Sequence, residues 1–93
     1  MKKVTRVSVI KSLNGESVRL KEFGVKKIGL FGSVLKGKQN DKSDVDILIS
    51  FDNYMVVYYF LQKLIKRKID LVIESDLKPE LQYVKKETEY VKI

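Results

Sequence analysis

The sequence has no cysteine, no histidine and no tryptophan, and its only proline is Pro79. Without cysteine there is no disulfide and no thiolate nucleophile. Without histidine there is no imidazole base, and the usual zinc ligands are missing as well. Any metal must therefore rest on oxygen donors. No run of about 18 apolar residues exists to span a bilayer. The opening MKKVTRVSVIKSLNGES is interrupted by charges where a signal peptide needs an apolar core. The chain is read as cytoplasmic, with no membrane partner. Acidic residues are the scarcer charge: 12 Asp and Glu stand against 19 Lys and Arg, for a formal net charge of +7. Such a balance suits polyanionic partners, whether nucleotide, nucleic acid or an acidic protein face, and equally serves plain solubility.

The 93 residues are read as one domain, 1–93, with no repeat, linker or low-complexity tract. A domain of this length buries only about 60–65% of the surface its unfolded chain exposes, so a homo-oligomer or a complex is in keeping with its size. Val4, Val7, Ile10 and Leu13 recur at helical spacing up to a break at Asn14-Gly15. A second helix is expected from about Glu16 to Glu22, ending at Gly24. Residues 25–31, VKKIGLF, read as a strand that turns at Gly32-Ser33 toward a short helix, and residues 45–51, VDILISF, as a stronger strand. Asp52 or Asn53 is placed to cap a helix from about Tyr54 to Lys68, whose apolar stripe is Val57, Phe60, Leu61, Leu64 and Ile65. Residues 68–73, KIDLVI, form a third strand. Pro79 suits the first turn of a last helix, PELQYVKKE, with Asp76 as its cap. The fold class is α/β (α+β), a small mixed β-sheet with helices packed on it.

Asp44 and Asp46 open the second strand two residues apart. Alternation puts both on one face, with Val45, Ile47 and Ile49 on the other. Paired carboxylates resist joint ionisation, and a divalent cation reverses that preference. With oxygen donors alone, Mg²⁺ is the natural ion, held by carboxylates and by the phosphates of a substrate. Asp70, between Ile69 and Leu71, is a third acid able to share that face. A glycine at position 32 lets a phosphate approach the backbone N–H groups and hydroxyl of the Gly32-Ser33 turn. Each pair taken alone is a weak signal; the combination with Asp70 is far more specific.

Gly32-Ser33, ten intervening residues and Asp44-Val45-Asp46 resemble the GSx10DxD signature of the minimal nucleotidyltransferases, a branch of the DNA polymerase β nucleotidyltransferase superfamily. Asp70 falls where that family carries its third acid, and Gly37 matches a further glycine. The similarity runs from about Val25 to Ile73, and the closing residues 77–93 are similar to the family's short end. The resemblance implies the polymerase β-like nucleotidyltransferase fold and transfer of a nucleoside monophosphate, AMP from ATP, to a hydroxyl. It implies two Mg²⁺ ions about 3.5–4 Å apart, held by Asp44, Asp46 and Asp70 as the metal-binding and catalytic residues. Gly32, Ser33 and Lys36 would bind the β and γ phosphates.

Many of the family's smallest members are antitoxins paired with HEPN ribonuclease toxins, and some add AMP to a toxin tyrosine. The same role is implied here, with a HEPN-family toxin as partner. One departure stands out: relatives often carry basic residues directly after Gly-Ser, whereas this chain has Val34 and then Lys36. A second reading therefore stays open, a binding-only antitoxin that neutralises its partner by occlusion. Tyr54, Tyr58, Tyr59 and Phe60 put aromatic surface on one helix, with Tyr58 expected to face outward; packing is preferred to a partner interface. The basic run KLIKRK, residues 63–68, is read as complementing the helix dipole rather than touching RNA, although nucleic acid is not excluded. The loop KGKQNDKS flexes over the nucleotide or is simply solvated.

Overall fold

A computed structural model describes residues 4–38, 44–50 and 54–92. The chain begins with α1 (Arg6–Gly15), entered through a capping box. The Thr5 hydroxyl accepts the Ser8 N–H at 3.1 Å and the Ser8 hydroxyl accepts the Thr5 N–H at 2.9 Å. Helix α2 (Ser17–Glu22) follows and closes at Gly24 as expected. There the Gly24 N–H donates to Lys21 O and the Val25 N–H to Leu20 O. Then come β1 (Lys27–Phe31), α3 (Gly32–Leu35), β2 (Val45–Ser50), α4 (Tyr54–Ile65) and β3 (Ile69–Ile73). Two 3-10 turns (Glu74–Asp76 and Pro79–Leu81), α5 (Val84–Glu87) and β4 (Glu89–Val91) complete the described chain.

The four strands form one mixed sheet in the order β3-β2-β1-β4, with β1 antiparallel to both neighbours and β2 parallel to β3. One face carries Ile28, Leu30, Val45, Ile47, Ile49, Ile69, Leu71 and Val91. It packs with Val9 and Leu13 of α1, Leu20 of α2, and Val57 and Leu61 of α4 into a single core. The Phe23 and Phe60 rings meet edge to face at 5.2 Å and join α2 to α4. Among the described residues no helix is long and apolar enough to cross a membrane.

Three elements differ from the sequence reading. The expected last helix is instead the 3-10 turn Pro79–Leu81 followed by a four-residue α5. Val84 is its one buried side chain, so no apolar stripe holds nine residues in register. Asp76 lies within the first 3-10 turn and caps nothing; Lys78 precedes the second. Strand β4 was not expected: three residues of the charged C-terminal stretch pair with β1, Ile28 opposite Val91 and Gly29 opposite Tyr90. The approach is close because position 29 is glycine; a Cβ there would collide with Thr88 Cγ2 and Glu89 O. Helix α4 stops at Ile65 rather than Lys68. On it Tyr58 is half-buried against the core, and Tyr59, like Met55 and Val56, is exposed. The cap expected at Asp52 or Asn53 and residues 39–43 of the KGKQNDKS loop lie outside the described residues.

Candidate active site

The second sheet face carries the acids. Side chains alternate along a strand, so burial of Val45, Ile47 and Ile49 in the core leaves Asp46 and Leu48 on the opposite side. The same alternation on β3 sends Ile69 and Leu71 inward and Asp70 outward. Parallel register then sets Asp46 opposite Asp70, with Phe31 of β1 opposite Asp46 on its other flank. Leu48, farther along β2, is fully buried although it is outside the main core, and the 3-10 turn Glu74–Asp76 lies close to β2. The site is thus the end of this face where β2 and β3 begin.

Asp46 is half-buried and its carboxyl is pushed up from 3.8 to about 6. Burial is the largest cause, followed by the charge of Asp70, a hydrogen bond to the Asp70 side chain, and the charge of Asp44; a hydrogen bond from the Ser33 backbone N–H acts the other way. Asp70 is exposed and Asp44, just before β2, is half-buried. Among the described residues no three acids converge into a ready-made metal cage; Asp46 and Asp70 are the direct pair, and Asp44 acts on Asp46 through its charge.

Gly32 is fixed in place by the same carboxylate. Its φ of +77° lies in the left-handed region, and a Cβ would run into Asp46 Oδ2. Glycine is required here both for the turn and for the acid. The short α3 ends in a Schellman closure: the Lys38 N–H donates to Ser33 O at 2.9 Å and the Gly37 N–H to Val34 O at 3.2 Å, with Gly37 at φ +71°. Gly32, Ser33 and Gly37 are therefore one structural unit seated against Asp46.

Lys36 stands at the end of α3, and its Nζ lies 3.6 Å from Glu87 Oε2 of α5. Sequence reasoning missed Glu87, since nothing in a lysine-rich tail marks one glutamate for α3. Val34 is 1% exposed and belongs to the core. The side chain at position 34 thus points away from any phosphate on the acid face, while the backbone, the Ser33 hydroxyl and Lys36 are donors on the α3 side.

The donor set fits a hard divalent cation. It is all oxygen, and Asp46 and Asp70 are close enough to share a hydrogen bond that needs a proton, so a cation can take the proton's place.

The family model described as "Nucleotidyltransferase domain" matches residues 13–93. The chain is 39% identical over 62 residues to "Protein adenylyltransferase MntA" of Thermococcus cleftensis, an alignment covering 60% of this chain and 63% of that protein. It thus spans less than two thirds of that relative. The solved structure named "Structure of putative minimal nucleotidyltransferase" superposes with a TM-score of 0.71 at 25% identity, covering 90% of this chain and 89% of that one. A second, "Crystal structure of the toxin-antitoxin with AMP-PNP", shares the fold with a TM-score of 0.62 at 22% identity, covering 83% of this chain and 70% of that one.

Proposed function

The chain belongs to the nucleotidyltransferase domain family, and on that premise we propose that it transfers AMP from ATP to a tyrosine hydroxyl of a HEPN-type toxin, acting as the antitoxin of the pair. The observation that carries the reading is the rung shared by Asp46 and Asp70, with Gly32-Ser33 seated directly against Asp46. It is supported by the adenylyltransferase name of the Thermococcus relative and by the toxin-antitoxin complex with AMP-PNP that shares the fold.

In the reaction the acceptor oxygen bonds to the α-phosphorus, the bond from that phosphorus to the bridging oxygen breaks, pyrophosphate leaves and the hydroxyl proton is released. Asp44, Asp46 and Asp70 would hold Mg²⁺, which supplies Lewis-acid stabilisation of the attacking and leaving oxygens when bound. Gly32 keeps the turn open beside Asp46. The backbone after Gly32, the Ser33 hydroxyl and Lys36 bind the β and γ phosphates, with Lys36 leaving Glu87 to do so. Asp70, the exposed member of the pair, faces the acceptor and favours loss of its proton. Fixed placement and preorganised charge supply the rate.

The test is the intact mass of the partner toxin after incubation with ATP and Mg²⁺: a gain of about 329 Da, the mass added by displacement at the α-phosphate, is expected. A second reading, neutralisation by occlusion alone, draws on a specific pair of observations. Val34 is in the core and Lys36 is engaged by Glu87, so neither stands ready as a phosphate ligand. That reading expects a stable complex and an unchanged toxin mass.

A further inference from the structure

Basic residues after a helix are ordinarily explained by the partial negative charge of its C-terminus. Lys63, in the last turn of α4, fits that account. Lys68 does not. It follows the end of α4 at Ile65 by three residues, and its carbonyl already accepts the Val45 N–H at 2.9 Å as part of the sheet. Lys66 makes the turn that delivers it, with a φ of 61° in the left-handed region, unusual for a residue other than glycine.

Val45 pairs with Ile69 and Asp46 with Asp70, so one step earlier in the same parallel ladder Lys68 stands beside Asp44. Adjacent strands lie about 4.8 Å apart. By alternation Lys68 takes the face of Asp70. A lysine is therefore set at the margin of the acids, on the β3 side, while Gly32, Ser33 and Lys36 flank them on the β1 side.

Lys68 is exposed, and among the described residues it enters no ion pair, not even with Asp44. A bound nucleotide brings phosphates to a face that already carries three carboxylates, and negative charge of that density needs cations. With the β and γ phosphates on the Gly32-Ser33 side, the α-phosphate lies toward β3. From this juxtaposition we propose that Lys68 is a further substrate-binding residue, contacting the α-phosphate of the nucleoside triphosphate from the side opposite Gly32-Ser33. The inference rests on the nucleotidyltransferase reading above. At that position Lys68 meets the negative charge on the non-bridging oxygens while the acceptor oxygen adds and pyrophosphate leaves.

The test is titration of wild type, Lys68→Ala, Lys68→Arg and Lys63→Ala with ATP and, separately, with AMP, each in Mg²⁺, with melting temperature as the check on folding. AMP carries the α-phosphate alone. Lys68→Ala should melt like wild type and bind both ligands about tenfold more weakly, the scale of one charged hydrogen bond. Lys68→Arg should recover most of that loss and Lys63→Ala should lose nothing. The inference falls if Lys68→Ala binds ATP as wild type does, if it differs from wild type for ATP but not for AMP, or if Lys63→Ala weakens binding equally. A wild type that binds no ATP removes the nucleotidyltransferase reading itself, and this inference with it.

Discussion

Asp46 and Asp70 occupy one rung of the parallel ladder between β2 and β3, and their side chains share a hydrogen bond. Two carboxyl groups can do so only with a proton between them, and burial of Asp46, the charge of Asp70 and this hydrogen bond together push the Asp46 carboxyl up from 3.8 to about 6. In that window the native protein keeps a proton that the unfolded chain has released. Stability falls with rising pH wherever the native state binds more protons. The melting temperature of metal-free wild type, relative to Asp46→Asn, should therefore fall as pH rises through about 4 to 6 and level off above it. Mg²⁺ added at neutral pH should recover the loss in wild type and leave Asp46→Asn nearly unchanged. A wild-type minus mutant difference that is flat with pH would remove the shared proton.

Gly32→Ala tests the seat of the same carboxylate. Its backbone is left-handed and its missing Cβ makes room for Asp46 Oδ2. Urea denaturation should show a loss of about 1–3 kcal/mol from backbone strain alone. ATP with Mg²⁺ should raise the melting temperature of wild type by binding the native state, and that rise should disappear in Gly32→Ala because the added methyl displaces Asp46. Unaltered stability together with full ATP binding would mean that the turn relaxes without moving the acid.

Val34→Arg would bring the sequence nearer to relatives that carry a basic residue after Gly-Ser. Val34 is 1% exposed and packed in the core. The expected outcome is damage: an uncompensated buried charge costs about 3–5 kcal/mol, and circular dichroism melts should report it. A stable Val34→Arg with tighter ATP binding would show that position 34 can turn toward the phosphates.

The strands bearing the acids were legible because each sets an aspartate among β-branched and aliphatic residues, and alternation leaves only one face for it. The Gly32-Ser33 turn could be read for the same reason, since a strand ending in glycine followed by a polar basic stretch cannot continue. Strand β4 was not legible. Its three residues, Glu89–Val91, lie in a charged tail where partial alternation is too short to separate from helix, and their pairing depends on Gly29, far away in sequence. The partnership of Lys36 with Glu87 was hidden for the same reason. Val34 looked like a missing charge; its burial follows from the direction in which α3 leaves β1, which spacing alone does not encode.

Catalysis is tested most directly at Asp70. Its side chain is exposed, so Asp70→Asn should fold normally while losing the charge proposed to face the acceptor. Wild type and mutant are each incubated with the partner toxin, ATP and Mg²⁺, and the toxin is weighed by intact mass spectrometry over time, with ATP binding measured in parallel. The account predicts an adduct of about 329 Da, one AMP from displacement at the α-phosphate, in wild type. Transfer by Asp70→Asn should be slower by about 10²–10³-fold while ATP still binds through Asp44 and Asp46. A wild type that binds ATP and toxin yet leaves the toxin mass unchanged, or an Asp70→Asn that transfers AMP at the full rate, would contradict it.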